Sequence, residues 1–169
     1  MPHGVFEATT LIENGVISML IDGSGEGLEA EVLDVGDAVL MPGLVDPHVH
    51  INEPGRTDWE GFDTATKAAA AGGITTMIEM PLNSTPVTTS AEALEEKVKA
   101  AEGKLNVNCG FWGGIIPDNA DNLEALLQSG VFGIKAFLID SGLADFPNVS
   151  EDDLSKGISA IAKAGMPLL

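Results

Sequence analysis

Gly72, Gly103, Gly130 and Gly165 each close a stretch of helix-forming residues, and they fall 31, 27 and 35 residues apart. After each comes an apolar run: Ile74 to Met80, Leu105 to Phe111, Val131 to Ile139 and Met166 to Leu169. Glycine just past the last helical residue is a common helix stop. Apolar, β-branched runs bounded by Gly and Pro read as strands. An interval of about 30 residues is that of one β/α unit. Its repetition predicts parallel strands with helices on their faces, which is why these strands are nearly continuous apolar runs rather than alternating ones.

The helices have readable starts. Lys67-Ala68-Ala69-Ala70-Ala71 are strong helix formers, and the spacing predicts a helix from Trp59 to Ala71. Thr89 with Glu92 forms a capping box for a helix reaching Ala101, Asp118 or Asn119 opens one through Leu127, and Ser150 with Asp153 caps a fourth. Upstream, residues 4–42 read as short strands. Asn14-Gly15 between two apolar runs is a two-residue hairpin turn, Gly23 to Gly27 is a flexible loop, and Leu28 to Leu33 alternates as a further strand. Pro42-Gly43 breaks the chain. The expected division is residues 1–43 as a small β layer and residues 44–169 as the β/α part.

Parallel β/α units build either a doubly wound sheet or a barrel. A doubly wound nucleotide binder carries a Gly-rich phosphate loop after its first strand. Here that strand is followed by HVHINEPGR, and no such loop occurs elsewhere. Polar chemistry at the C-terminal ends of several strands is the habit of the barrel, which needs about 250 residues. Leu44 to Leu169 gives 126, enough for four units and the first residues of a fifth. The fold expected is α/β: the first half of a (β/α)8 barrel, truncated in strand five. The two unpaired edges of such a half, at its first strand and near Met166, invite association.

Charge narrows the function classes. With 26 acids against 8 bases the formal net charge is −18, which argues against nucleic acid or an anionic membrane as partner. Within that excess, Glu92, Glu95, Glu96, Lys97 and Lys99 read as a solvated helix face. The single cysteine, Cys109, rules out an internal disulfide and reads as a buried thiol on an apolar strand, in a reducing compartment. No apolar run approaches the roughly 18 residues of a membrane span. The first ten residues lack the basic and apolar regions of a signal peptide, so a cytoplasmic location is expected.

Chemistry concentrates at LVDPHVHINEPG, residues 44–55. On a strand, residues i and i+2 share a face, so His48 and His50 project together from its end. Two imidazoles so placed suit one metal ion; two surface histidines are the plain alternative. Lys135 stands in the otherwise apolar strand VFGIKAFLI. It is either a strand-end lysine reaching water or an amine held neutral by burial or nearby cations. A neutral amine can take up carbon dioxide as a carbamate, an anionic oxygen donor able to bridge two metals. Asn52 and Asn83 lie just past strand ends and could hold a planar polar substrate, although as turn formers they need no function. Glu79, Asp140 and Arg56 also stand at strand or loop ends, with no role assigned. Phe111-Trp112-Gly113-Gly114 reads as core packing.

Asp46-Pro47-His48-Val49-His50 resembles the metal motif of the amidohydrolase superfamily. Within it, GLVDPHVHINEPGRTDWEGF, AAAAGGITTMIEMPLNS, GFWGGIIPDN and GIKAFLIDSGLADFPNVSEDDL are similar to the allantoinase family, over about residues 36 to 160. The resemblance implies a (β/α)8 barrel joined to a small β-sandwich, of which residues 1–43 would be a part. It implies two divalent ions, usually zinc, with His48 and His50 as the first ligand pair and carboxylated Lys135 as the bridge. The implied reaction opens the ring of a small cyclic ureide by hydrolysis. Dihydroorotases usually carry Arg where this chain has Asn52, to pair a substrate carboxylate. Dihydropyrimidinases and hydantoinases usually lack the run Glu53-Pro54-Gly55-Arg56. These remain the neighbouring readings, with a non-catalytic interaction module as the reading of another class. The resemblance also implies a homotetramer, two further histidine ligands and a general-base Asp, all three protein ligands lying beyond Leu169. No catalytic base is expected in residues 1–169, and the segment alone is expected to be inactive.

Overall fold

The structure, a computed structural model, describes residues 4–169. The sequence's third histidine, His3, lies outside the described residues. The chain divides between Pro42 and Gly43 into two compact units.

The first unit is a hairpin. Strands β1 (Ala8–Glu13) and β2 (Val16–Asp22) pair antiparallel, Glu13 opposite Val16 and Ala8 opposite Asp22. Asn14 at φ 52° and Gly15 at φ 76° make the left-handed two-residue turn that the Asn-Gly pair predicts. A register shift between Leu11 and Ile12 marks a bulge. The Thr9 hydroxyl donates to the Gly23 carbonyl at 2.9 Å and ties the end of the hairpin to the following loop. Leu28 to Leu33 is not a strand: this stretch is irregular, and Val32 and Leu33 are largely exposed. Alternation alone could not make it one, since among the described residues no strand pairs with its backbone groups.

The second unit carries the β/α alternation. Its elements are β3 (Leu44–Val49), α1 (Phe62–Ala71), β4 (Ile74–Glu79), α2 (Ala91–Ala101), β5 (Asn108–Phe111), β6 (Gly113–Gly114), α3 (Leu123–Gln128) after a 3-10 turn at Ala120–Asn122, β7 (Ile134–Lys135) and α4 (Glu151–Ala164). All its pairings are parallel: β3 with β4, β4 with β5, and β6 with β7. Trp112 interrupts the third strand between β5 and β6, its amide held by the Glu79 carbonyl at 2.8 Å. Leu168 bridges in parallel to Ile134. β3, β4 and β5 thus lie side by side in sequence order, and β6 pairs with the next strand, β7.

Several elements are shorter than their sequence patterns. The run from Val131 to Ile139 yields only Ile134–Lys135 as strand, and Leu138 and Ile139 are exposed. The first helix begins at Phe62, not Trp59, because the Glu53 carboxylate, reaching from the preceding loop, accepts from the Phe62 amide at 2.9 Å. The cap of α2 is Ser90 rather than Thr89: its hydroxyl accepts from the Ala93 amide at 3.2 Å. Asn119 opens the 3-10 turn without capping it by its side chain, which binds Ile116, Thr89 and Gly114 instead. For α4, the Ser150–Asp153 box and the left-handed Gly165 stand where the sequence puts them.

Burial follows helical periodicity. Helix α1 buries Phe62, Ala65, Thr66 and Ala69; α2 buries Ala93, Leu94, Lys97 and Ala101. One apolar cluster joins Leu94, Leu123, Leu126, Ile134 and Ile161, a second Ile51, Phe62 and Met77, and a third Met80, Trp112 and Phe146. Complete burial of a Leu, Ile or Phe side chain contributes about 1.5–3 kcal/mol. The second and third clusters flank the ends of β3 and β4, where the polar residues gather.

Candidate metal centre

Strand β3 carries His48, and His50 follows directly on its end, so two imidazoles stand at one place. The Asp46 carboxylate accepts from the His48 amide at 3.0 Å, and the indole of Trp112 donates to the Pro47 carbonyl at 2.9 Å. Beyond them, Ile51 is fully buried and anchors the strand's exit. With the chain held on both sides, the ring centroids of His48 and His50 lie 5.4 Å apart, tilted by 46°.

Lys135 arrives from β7, 87 residues away along the chain. Its Nζ lies 3.4 Å from Nε2 of His48, 3.7 Å from Sδ of Met80 and 5.1 Å above the Phe137 ring. Burial lowers its pKa from the usual lysine value. His50 is lowered too, first by burial and then by the nearby Lys135 and His48. Both shifts favour neutral nitrogens with free lone pairs.

The structure thus brings His48, His50 and Lys135 together. Asn52 is buried, its amide donating to the Glu60 carbonyl and its side-chain oxygen without a partner. Asn83 is half-buried in the left-handed region at φ 78°. Among the described residues, no hydrogen bond joins either asparagine side chain to the three nitrogens.

Three features escaped sequence reasoning. Lys97 is not part of a solvated face: it is fully buried and donates to Glu79 at 2.6 Å. Its position in the stripe Ala93, Leu94, Lys97, Ala101 was the available signal, since these residues share one side of the helix. Glu79, without an assigned role from sequence, is fully buried as well. Glu53 bonds both the start of α1 and Lys104, joining the His-x-His loop to the helix layer. Trp112 and Phe111 do pack in the core, Phe111 edge-on to Phe62. Cys109 is a half-buried free thiol, not a fully buried one, and burial pushes its pKa up to about 12, which disfavours the thiolate.

Whether the site suits a divalent metal can be tested on its own atoms. Nδ1 of His50 is buried with no hydrogen-bond partner. An unpaired buried polar atom costs about 1–3 kcal/mol, and an absent ligand is one of its ordinary explanations. Beside it stand a second imidazole and an amine lowered by burial. The donor set fits a metal. Among the described residues no group of three or more His, Cys, Asp and Glu side chains gathers, and Lys135 is the third nitrogen beside the two imidazoles.

Comparison with known proteins gives the class. The amidohydrolase family model matches residues 39–168, and the chain belongs to that family. Among curated relatives, an allantoinase of Arabidopsis thaliana is 46% identical over 175 residues, covering 99% of this chain and 35% of its own. A mitochondrial allantoinase of Aquarana catesbeiana is 51% identical over 160 residues, covering 94% and 33%. Among solved structures, an L-hydantoinase (dihydropyrimidinase) from Arthrobacter aurescens superposes with a TM-score of 0.90 at 32% identity, covering 98% of this chain and 37% of its own. The chain spans about a third of the length of the curated relatives it matches. No helix of the described residues is long and apolar enough to cross a membrane.

Proposed function

We propose that this chain forms the metal-holding part of a cyclic amidohydrolase of the allantoinase type, built as the first β/α units of a (β/α)8 barrel next to part of a β-sandwich. The observation that carries it is the 3.4 Å approach of Lys135 to His48 across 87 residues of chain. His48 and His50 would hold a divalent ion, zinc by the chemistry of imidazole donors. Lys135 would become the oxygen donor. Its neutral amine attacks carbon dioxide, an N–C bond forms, one proton leaves to water, and the carbamate anion remains. The divalent metal that His48, His50 and carboxylated Lys135 would hold would supply Lewis-acid polarisation of a carbonyl and a nucleophile at neutral pH.

The residues of this chain bind and orient. Asn52, with its buried oxygen unpaired, and Asn83 would meet the N–H and C=O groups of a small cyclic ureide. Neither carries charge, which suits a substrate without a carboxylate and disfavours dihydroorotate. The allantoinase reading is supported by 46–51% identity to the two allantoinases, against 32% to the hydantoinase. The hydantoinase reading rests on the close superposition and is kept as the second one.

The test is zinc loading and ring hydrolysis. Lys135→Ala and the His48→Ala/His50→Ala pair should abolish stoichiometric zinc binding. A short carboxylic acid should partly restore loading in Lys135→Ala, because it supplies the missing oxygen donor. In a protein uniting this segment with the remainder of the family's length, allantoin should be hydrolysed faster than hydantoin or dihydroorotate. Zinc binding unchanged by these substitutions defeats the metal reading, and preference for hydantoin defeats the allantoin reading.

A further inference from the structure

The most deeply buried charges of residues 43–169 lie behind the site. Lys97 and Glu79 are both 0% exposed. Lys97 Nζ donates to Glu79 Oε2 at 2.6 Å and to the Met80 carbonyl at 3.2 Å. Apolar side chains of similar volume often pack as well as a buried ion pair, or better. Packing therefore gives no reason for charge here, and a task that apolar groups cannot perform is needed.

The second oxygen of Glu79 shows the task. Oε1 accepts from the Ile51 amide at 3.3 Å, and Ile51 is the residue after His50. On the other side of His50, the Val49 carbonyl accepts from the Met80 amide at 2.7 Å. His50 is thus bracketed by bonds to two consecutive residues, Glu79 and Met80. Met80, whose carbonyl Lys97 holds, places its sulfur 3.7 Å from the Lys135 amine. Through one lysine on α2, the pair touches the supports of two of the three donors. Water cannot compete for these bonds in a fully buried setting, so each retains its direction.

We propose that Lys97 and Glu79 are positioning residues for the metal centre: Lys97 orients the Glu79 carboxylate, which holds the Ile51 amide and thereby aims the His50 ring. The inference rests on the reading of His48, His50 and Lys135 as metal donors.

The experiment uses the 169-residue chain, with Zn2+ affinity from chelator competition, the Co2+ absorption spectrum, and metal-free hydrogen exchange of the Ile51 amide. The apolar pair Glu79→Leu/Lys97→Met should keep its melting temperature, exchange Ile51 faster, alter the Co2+ spectrum and lose roughly 10- to 100-fold in Zn2+ affinity. Glu79→Gln still presents an oxygen to Ile51 and should stay within about threefold of wild type. Wild-type Zn2+ affinity and Co2+ spectrum in the folded apolar pair overturn the proposal. If that pair does not fold, Glu79→Gln decides: Ile51 exchange and Zn2+ affinity near wild type support the proposal, and a loss as large as that of His50→Ala overturns it. Zn2+ binding undiminished in His48→Ala/His50→Ala overturns the metal reading itself. Zn2+ binding lost there but intact in the apolar pair overturns only the positioning role.

Discussion

In the hairpin, Val16, Ile17, Met19 and Leu20 are each half-exposed or more, and residues 4–42 bury no side chain. In the β/α unit, Ile51, Phe62, Leu123, Leu126 and Ile134 are entirely buried. Both regions are rich in apolar residues, yet only one has a core of its own. The hairpin is held by a turn whose two residues are already left-handed formers and by ladder bonds between adjacent strands. The β/α unit is held by parallel strands from successive units, β3 on β4 and β4 on β5, and by helices packed on them and on each other, α1 on β4 and α3 on α4. The comparison teaches that local turn chemistry can set a register without supplying stability, and that tolerance to substitution should differ sharply between the two.

The most damaging change expected is Lys97→Met alone. It leaves the Glu79 carboxylate buried and unpaired, and at pH 8 it should cost about 3–5 kcal/mol in denaturant unfolding of the β/α unit. A loss under about 1 kcal/mol would mean that the pair does not matter to this core. Next, Leu126→Ala should cost about 2–5 kcal/mol through the cavity it leaves. Met19→Ala in the hairpin should stay within about 0.5 kcal/mol, and equal losses at the two positions would erase the contrast.

Glu79 adds a dependence on pH. Burial raises its carboxyl from 4.5 to about 7 in the folded chain. Between those values the folded state keeps a proton that the unfolded state has released. This contribution to stability is complete below pH 4.5 and is lost as the pH rises through about 7. Wild-type stability minus that of Glu79→Gln should therefore fall across this window, and a level difference would show that the carboxyl is not raised. Smaller than either buried change is Ser150→Ala at the start of α4, expected to cost about 1 kcal/mol from the lost cap. Melting curves of the two proteins measure it directly.

Local signals survived folding where they act over a few residues. Asn14-Gly15, Ser150 with Asp153, and Gly165 stand in the conformations their side chains favour. So did the parallel β/α order, because it needs only alternating apolar strands and helices. Element lengths were less legible. Val131 to Ile139 is apolar throughout, but only Ile134–Lys135 finds a parallel partner in β6. At the site, His48 and His50 could be paired from their spacing alone, and their rings do lie together although β3 ends at Val49 between them. Their support could not, because the bonds to Pro47, Ile51 and the Val49 carbonyl come from Trp112, Glu79 and Met80, far along the chain.

The order of strands and helices, the hairpin turn and the shared face of the two histidines belong to the sequence itself, since dihedral preference and side-chain period operate over two to four neighbours. Helical period puts Lys97 on the side of Ala93, Leu94 and Ala101, but tertiary structure alone decided what it meets there. Lys97 carries the same ammonium as Lys99, two residues further on. Only the packing of α2 over β4 buries the first against Glu79 and leaves the second exposed. The stripe tells which side of α2 the ammonium takes, and only the fold supplies the carboxylate that it meets.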